Sequence, residues 1–224
     1  MMKLYYTPGA SSLAPRIVAF EAGLEIEYDK VDLKTRTTAS GRDYIRINPK
    51  GCVPALAVPN GEVLSEVPVI LEYLADQAPS VQLFPPPGCW ERYRVKEWLD
   101  FTGVELHKGF DPLWEAPLLP ELRQLAVSRL HQRFAYLDHC LRGQLYLAGH
   151  QFTAADAYCF TVLSWTRFHR IDLSDYSALQ EFMKRISNRQ MVKLALQAEG
   201  LPVAAEPSDL QVDPLFGAIR CPSL

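Results

Sequence analysis

Two serines follow the first predicted strand, in the segment 7–12 (Thr-Pro-Gly-Ala-Ser-Ser). A Thr-Pro-Gly turn ends the strand, and Ser11 and Ser12 stand where the first helix is predicted to begin. A hydroxyl at a helix N-terminus can donate a hydrogen bond to an anion, and the helix dipole stabilises negative charge there. The alternative is that a serine only caps the helix. The segment therefore predicts either an anion site or ordinary capping.

Glu66 and Val67 stand at a second junction between a strand and a helix. The carboxylate of Glu66 can bind an ammonium group, and the free backbone N–H of Val67 can bind a carboxylate. A ligand that carries both groups on one carbon, the head of an α-amino acid, would fit this pair. The alternative is that Glu66 only complements the dipole of the helix that follows.

The bond between Val53 and Pro54 lies at the entry to another predicted strand. Only about 5% of bonds before proline are cis in folded proteins. A cis bond here would turn the backbone N–H and C=O of Val53 toward a cleft. An extended peptide ligand could then pair with these groups like an added strand.

The elements that would carry these residues alternate between strand and helix over the first eighty residues. Strands are predicted at 3–6, 26–33, 53–58 and 62–64, helices at 14–23 and 67–77, and a short helical turn at 44–47. Asn60-Gly61 between two apolar runs predicts a hairpin. The order β-α-β-α-β-β-α predicts an α/β domain with a mixed sheet and helices on its faces.

A proline-rich segment separates this domain from a helical one. The predicted organisation is an α/β domain at 1–82, a linker at 83–89, an all-α domain at 90–205 and an irregular tail at 206–224. Helices are predicted at 153–170 and 178–198 within the second domain. Thr153 and Asp156 have the spacing of a capping box at the start of the first of these helices.

Composition excludes several classes of protein. The 224 residues contain 23 Lys and Arg against 26 Asp and Glu, which does not favour a nucleic-acid binder. The sequence shows no apolar run of the ~18–20 residues that a membrane helix needs. The first residues lack the apolar core of a secretory signal, so we expect a cytoplasmic protein. The five cysteines and five histidines are scattered, so we expect no metal site.

These segments together resemble the cytosolic glutathione transferases, and most closely their bacterial beta class. The resemblance spans about residues 2–200 and is carried by five motifs in a fixed order. They are Met-Lys-Leu-Tyr-Tyr-Thr-Pro-Gly-Ala at 2–10, Val-Asp-Leu-Lys-Thr at 31–35, Asn-Pro-Lys-Gly at 48–51, Val-Pro-Ala-Leu at 53–56 and Glu-Leu-His-Lys-Gly-Phe at 105–110. The resemblance implies a thioredoxin-like N-terminal domain, an all-helical C-terminal domain, a homodimer and a cis bond at Val53-Pro54.

The resemblance also implies that the chain binds glutathione. Glu66 would hold the γ-glutamyl ammonium, the backbone of 66–67 would hold its carboxylate, and Val53 would pair with the cysteinyl backbone. Arg36 stands near the expected glycyl end, and Asp100 stands where the class reaches glutathione bound to the partner subunit. The residues predicted to bind glutathione are Ser12, Arg36, Val53, Pro54, Glu66, Val67, Asp100 and Val104.

Catalysis is expected to rest on Ser11 and His107, with no metal. His107 stands at the histidine that the class places beside the sulfur of glutathione. The thiolate would attack an electrophilic carbon of an apolar substrate bound between the domains. The predicted walls of that substrate pocket are Ala10, Leu13, Phe110, Trp114, Trp165 and His169, with ordinary core packing as the alternative for Trp165.

Two departures from the family pattern leave other functions open. Ser11 replaces the cysteine that forms a mixed disulfide with glutathione in the beta class, and Val67 replaces a serine. Conjugation of glutathione is the leading hypothesis. The alternatives are another glutathione-dependent enzyme, such as an isomerase, dehalogenase or peroxidase, and a non-catalytic module that uses the same fold for binding.

Overall fold

The computed structural model describes residues 1–115 and 117–203. The predicted tail, 206–224, lies outside these described residues. The strands are β1 (Met2–Tyr6), β2 (Ile26–Asp32), β3 (Thr37–Thr38), β4 (Ala55–Ala57) and β5 (Val63–Ser65). The helices are α1 (Leu13–Glu21), α2 (Val67–Asp76), α3 (Trp90–Phe101), α4 (Lys108–Phe110), α5 (Pro120–Leu141), α6 (Ala154–His169), α7 (Ser177–Ser187) and α8 (Gln190–Ala198).

The N-terminal strands form one mixed sheet in the order β3-β2-β1-β4-β5. β1 and β2 are parallel, as expected for strands joined through helix α1, and the other neighbouring pairs are antiparallel. The buried side chains of α1 and α2 pack against β1 and β4 in the main core. The predicted mixed α/β sheet, thioredoxin-like in its arrangement, is confirmed.

The predicted short helical turn at 44–47 is present as a 3₁₀ turn, Tyr44–Arg46, which begins after Asp43; the Asp43 carboxylate accepts from the N–H of Ile45. One detail of this domain differs from the sequence-based expectation. A short strand, β3, pairs with the end of β2, and no periodic pattern in the sequence predicts it.

The C-terminal half is helical, and its capping box is present. The Asp156 carboxylate accepts hydrogen bonds from the N–H and hydroxyl of Thr153, each at 2.8 Å. It also accepts from the N–H of Leu147 at 2.8 Å, and it is fully buried. The start of α6 therefore serves as the anchor for the loop that precedes it.

The helix predicted at 178–198 is in fact two helices, α7 and α8. The backbone of Arg189 is extended between them, with φ −66° and ψ 136°. Its guanidinium makes two hydrogen bonds to Glu21 at the end of α1, at 2.7 and 2.8 Å. The break thus places a charged side chain against the N-terminal domain.

Buried polar contacts join the two domains beside the loop that carries Ser11. The indole N–H of Trp165 donates to the carbonyl of Gly9, and the N–H of Gly9 donates to Glu199, both at 2.8 Å. Glu199 also pairs with Arg16 of α1 at 2.9 Å. Because all of these groups are buried, the loop is held in position from the C-terminal side.

None of the helices in the described ranges is both long and apolar enough to cross a membrane.

Candidate functional site

A cavity of about 500 Å³ opens between the two domains. One wall is formed by Ser11 and by parts of the segments 48–54 and 65–68. The facing wall is formed by parts of the segment 99–111 and by Tyr158. The volume is within the range of pockets that hold small ligands. The two junctions singled out in the sequence therefore meet at one cavity.

Ser11 and Ser12 have different surroundings. Ser11 lines the cavity, and its hydroxyl donates to the carbonyl of Val53 at 3.3 Å. The Ser12 hydroxyl is buried, donates to the carbonyl of Thr7 at 3.1 Å and accepts from the N–H of Thr7 at 3.2 Å. Ser12 is not part of the cavity lining, so we do not retain it as a glutathione contact. Ser11 is the serine of this pair that can meet a ligand.

The Val53-Pro54 bond is cis, as the resemblance implied. The turn before it is fixed because Tyr44 and Asn48 both donate to the carbonyl of Cys52, at 2.6 and 2.8 Å. Val53 and Pro54 line the cavity. No hydrogen-bond partner of the Val53 N–H is found within residues 1–115 and 117–203. This backbone is therefore available to an extended ligand.

Arg36 lies beside this turn and outside the cavity lining. Its guanidinium donates to the carbonyl of Gly51, and its own backbone has a φ of +56°. It therefore braces the turn that leads to Val53. Its predicted contact with the glycyl end of glutathione stays a prediction.

Glu66 caps the N-terminus of α2 with a backbone φ of +74°. This conformation is uncommon for a residue with a side chain and often marks a functional position. Its carboxylate accepts a hydrogen bond from Lys50 at 2.7 Å, and Lys50 also donates to the Ser65 hydroxyl at 3.0 Å. No partner of the Val67 N–H is found among the described residues. A carboxylate and an unpaired N–H thus lie side by side in the cavity wall.

Asp100 and Val104 line the facing wall, and their predicted contact with glutathione stays a prediction. Asp100 lies at the exposed end of α3, and Val104 is 66% exposed. After α3 the helix continues as a wider, π-type helical turn, Thr102–His107. Such turns are rare and are often found at functional sites. This turn presents Val104 and His107 to the same cavity.

His107 lines the cavity at the end of the π-type turn. Its Nδ1 lies 2.6 Å from the hydroxyl of Tyr158. Burial lowers the pKa of His107 to about 4; the charge of Lys108 adds to this effect, and those of Asp111 and Glu66 oppose it. The Trp165 ring meets the imidazole edge to face, with ring centroids 4.8 Å apart. His107 is therefore a neutral, firmly held imidazole.

The predicted substrate wall is not at the cavity. Ala10, Leu13, Phe110 and Trp165 are at most 1% exposed, and the last three belong to the main core. Trp165 is fixed there because its indole N–H donates to Gly9. We therefore remove these four from the substrate wall.

Trp114 and His169 are half-buried and stack on each other, with centroids 4.3 Å apart. They also lie outside the cavity lining. Both pack on the core aromatics, Trp114 against Trp165 and His169 against Phe110. The aromatic residues that were predicted to contact a substrate thus pack on one another, and Trp165 among them packs against His107.

The cavity lining also includes residues that were not predicted to belong to the site, among them Lys50, Lys108, Asp111 and Tyr158. Lys108 directly follows His107 and pairs with Asp111, three residues further on, at 3.4 Å, so this charge pattern could have indicated both residues. Tyr158 has no such signal, because it is 51 residues from His107 in the chain.

No group of three or more histidine, cysteine or acidic side chains suited to a metal ion occurs in the part of the chain that the structure describes.

Comparisons with known proteins agree with this geometry. Family models of the N-terminal and C-terminal domains of glutathione S-transferase match residues 11–77 and 120–190. Glutathione S-transferase GstA of Escherichia coli O157:H7 is 40% identical over 200 residues, which cover 89% of this chain and all of that protein. The chain belongs to the glutathione S-transferase family.

Solved relatives of this glutathione S-transferase have the same fold. A beta class enzyme from Sphingomonas chungbukensis is 42% identical with a TM-score of 0.86, covering 89% of this chain and 100% of its own. A sphingomonad glutathione S-transferase complexed with glutathione gives the same identity, TM-score and coverage. The likeness to the beta class inferred from the sequence is thereby confirmed.

Proposed function

We propose that this transferase binds glutathione in the cavity between its domains and joins the glutathione sulfur to an electrophilic carbon of a small apolar substrate. The observation that carries this proposal is the convergence of three complementary groups on one cavity. Glu66 and the Val67 N–H match an amino-acid head, and the Val53 backbone matches an extended peptide. Ser11 and His107 lie where polar groups could meet the thiol of that peptide. A relative solved with glutathione supports the choice of ligand.

Lys50 competes with the γ-glutamyl ammonium for the carboxylate of Glu66. The side chains of Lys50 and Glu66 are 53% and 64% exposed. An exposed ion pair contributes only about 0–1 kcal/mol, so exchanging it for the ligand costs little. Val67 supplies its backbone N–H but no hydroxyl. One hydrogen bond to the glutamyl carboxylate is missing in consequence, a loss of about 1 kcal/mol.

The chemical step requires a thiolate. A free thiol has a pKa near ~8.5, so only a few per cent is ionised at neutral pH. The Ser11 hydroxyl and the N-terminus of α1 stabilise the anion. When the cysteinyl N–H of the ligand pairs with the Val53 carbonyl, the Ser11 hydroxyl can turn from that carbonyl to the sulfur. His107 adds a neutral hydrogen bond.

In the reaction the ionised sulfur forms a thioether bond with the electrophilic carbon. The leaving group departs with its electron pair, and the thiol proton passes to solvent. Ser11 cannot form a mixed disulfide with glutathione, so we propose conjugation and not disulfide exchange. The electrophile would enter beside Val104 and Gly103, on the C-terminal wall of the cavity.

We also propose a homodimer in which Asp100 reaches the glutathione of the partner subunit. Trp90 and Tyr93 of α3 and Tyr136 of α5 are 66%, 58% and 50% exposed. Large exposed aromatic side chains are typical of contact surfaces between proteins. A sedimentation mass of twice 25.3 kDa would support the dimer. A single-chain mass would contradict it and would leave Asp100 without this role.

Turnover with a test aryl halide checks the proposed chemistry. We expect the wild type to consume the glutathione thiol in step with thioether formation. Ser11→Ala and His107→Ala should each lower kcat/KM by about 10- to 100-fold, because each removes one hydrogen bond to the developing thiolate. Because His107 is neutral, turnover should rise with pH from 5.5 to 8 without a histidine step.

His131→Ala is the matched control. His131 also pairs through Nδ1 with a tyrosine, Tyr176, but it does not line the cavity. Its replacement should leave kcat/KM unchanged. If neither Ser11→Ala nor His107→Ala slows the wild-type reaction, both assigned roles are wrong. If the wild type consumes no thiol with any electrophile tested, the chain is a binding module.

A further inference from the structure

Tyr158 lines the cavity but takes no part in the reaction proposed above. It lies in the second turn of α6, is 2% exposed and still contributes to the cavity wall. Its hydroxyl lies 2.6 Å from Nδ1 of His107. No other hydrogen-bond partner of that hydroxyl is found in the described part of the chain. The short contact ties the two side chains together across 51 residues of sequence.

One proton lies between these two atoms. Burial, with smaller effects of the charges of Glu66 and Asp111, raises the pKa of Tyr158, so its hydroxyl keeps its proton. His107 is neutral and carries one ring proton. If the hydroxyl donates to Nδ1, that ring proton must be on Nε2. If Nδ1 donated instead, the hydroxyl proton would need a second acceptor, and the described residues offer none.

We propose that Tyr158 is a positioning residue that keeps the proton of His107 on Nε2, from where the imidazole donates it as a hydrogen bond to the glutathione sulfur. The hydroxyl fixes the imidazole tautomer from one side, and the Trp165 ring meets the imidazole edge to face. The imidazole then needs no protonation or rotation before it meets the anion. The part of this inference that concerns the sulfur rests on the proposed function.

The tautomer can be read directly in the unliganded wild type by nitrogen NMR of protein labelled in its histidine rings. The His107 signals are assigned by their absence in His107→Gln. We expect Nε2 to carry the proton and Nδ1 to accept. A signal showing the proton on Nδ1 would overturn the proposal, because the Tyr158 hydroxyl would then be the donor that faces the ligand. This measurement needs neither glutathione nor turnover.

Tyr158→Phe tests whether the hydroxyl controls the His107 tautomer and turnover, since phenylalanine keeps the ring and removes only the hydroxyl. We expect the His107 ring to populate both tautomers and kcat to fall by about 10-fold, with KM for glutathione changed less than twofold. In the His107→Ala background the same change should have no further effect on kcat. An equal loss in that background would show that Tyr158 does not act through His107.

Tyr176→Phe is the matched control, because Tyr176 pairs with Nδ1 of His131 at 2.9 Å and does not line the cavity. It should alter the ring signals of His131 and leave kcat unchanged. If the wild type shows the expected tautomer but no transferase activity, the proposed function fails and the placement of the proton by Tyr158 stands.

Discussion

Replacing Glu199 with alanine should lower the free energy of unfolding by about 3–5 kcal/mol, because it leaves a buried charge without its partner. The side chain of Arg16 is only 4% exposed, and its guanidinium is stacked between the rings of Tyr6 and Tyr28, 4.2 and 3.9 Å from their centroids. The guanidinium cannot reach water without breaking this stack. The N–H of Gly9 would lose its acceptor as well.

The same substitution should also reduce turnover. Gly9 stands two residues before Ser11, and its N–H and C=O are held by Glu199 and Trp165. Loss of one of these contacts loosens the loop that presents the hydroxyl. We expect kcat to fall more than the fraction of unfolded protein explains, since a small displacement of a catalytic group is costly.

Urea unfolding at pH 7 measures the stability effect, with Glu105→Ala as the matched control. Glu105 pairs with Arg133 at 2.6 Å, but the side chains are 39% and 43% exposed. That control should lose no more than about 1 kcal/mol. Equal losses in the two variants would contradict a specific structural role of the buried pair.

Replacing Asp156 with alanine should cost about 3–5 kcal/mol and lower the melting temperature by roughly 10 °C. The substitution leaves three donors without an acceptor: the N–H of Leu147 and the N–H and hydroxyl of Thr153. Each buried donor left unpaired costs about 1–3 kcal/mol. Thermal unfolding followed by circular dichroism measures the change.

Asp172→Ala is the control for this prediction. Its carboxylate accepts from the N–H of Ser174 at 2.9 Å and from the Ser174 hydroxyl at 2.6 Å, but on the exposed surface. Water can replace both bonds, so we expect a loss below about 1 kcal/mol. A similar small loss in Asp156→Ala would mean that the capping box does not stabilise the start of α6.

Much of the fold could be predicted because its signals are local. The Asn60-Gly61 hairpin, the periodicity of α1 and α2 and the spacing of Thr153 and Asp156 are each visible in a short stretch of sequence. The break between α7 and α8 could not be predicted in this way. At this break Arg189 pairs with Glu21, which is 168 residues away and is not visible to a local pattern.

The candidate site also contains residues with local sequence signals and residues placed by contacts that are distant in the sequence. The place of Val53, Glu66 and Val67 in the cavity wall was predictable because a turn or junction in the sequence positions each of them. The aromatic residues were not, because helical spacing does not distinguish a core face from a cavity wall. Trp165 is buried in the core, where it donates to Gly9, and Tyr158 lies at the cavity beside His107; both partners are distant in the sequence.

Calorimetric titration of the full chain with glutathione tests whether the tripeptide binds in the cavity beside Glu66. We expect saturable binding to one site per chain. We also expect binding weakened about 10- to 100-fold in Glu66→Ala, which loses a charge-assisted hydrogen bond, and unchanged binding in Glu62→Ala, whose carboxylate is not in the cavity wall. No heat of binding at millimolar glutathione, or equal affinity in Glu66→Ala and the wild type, would contradict binding at this site.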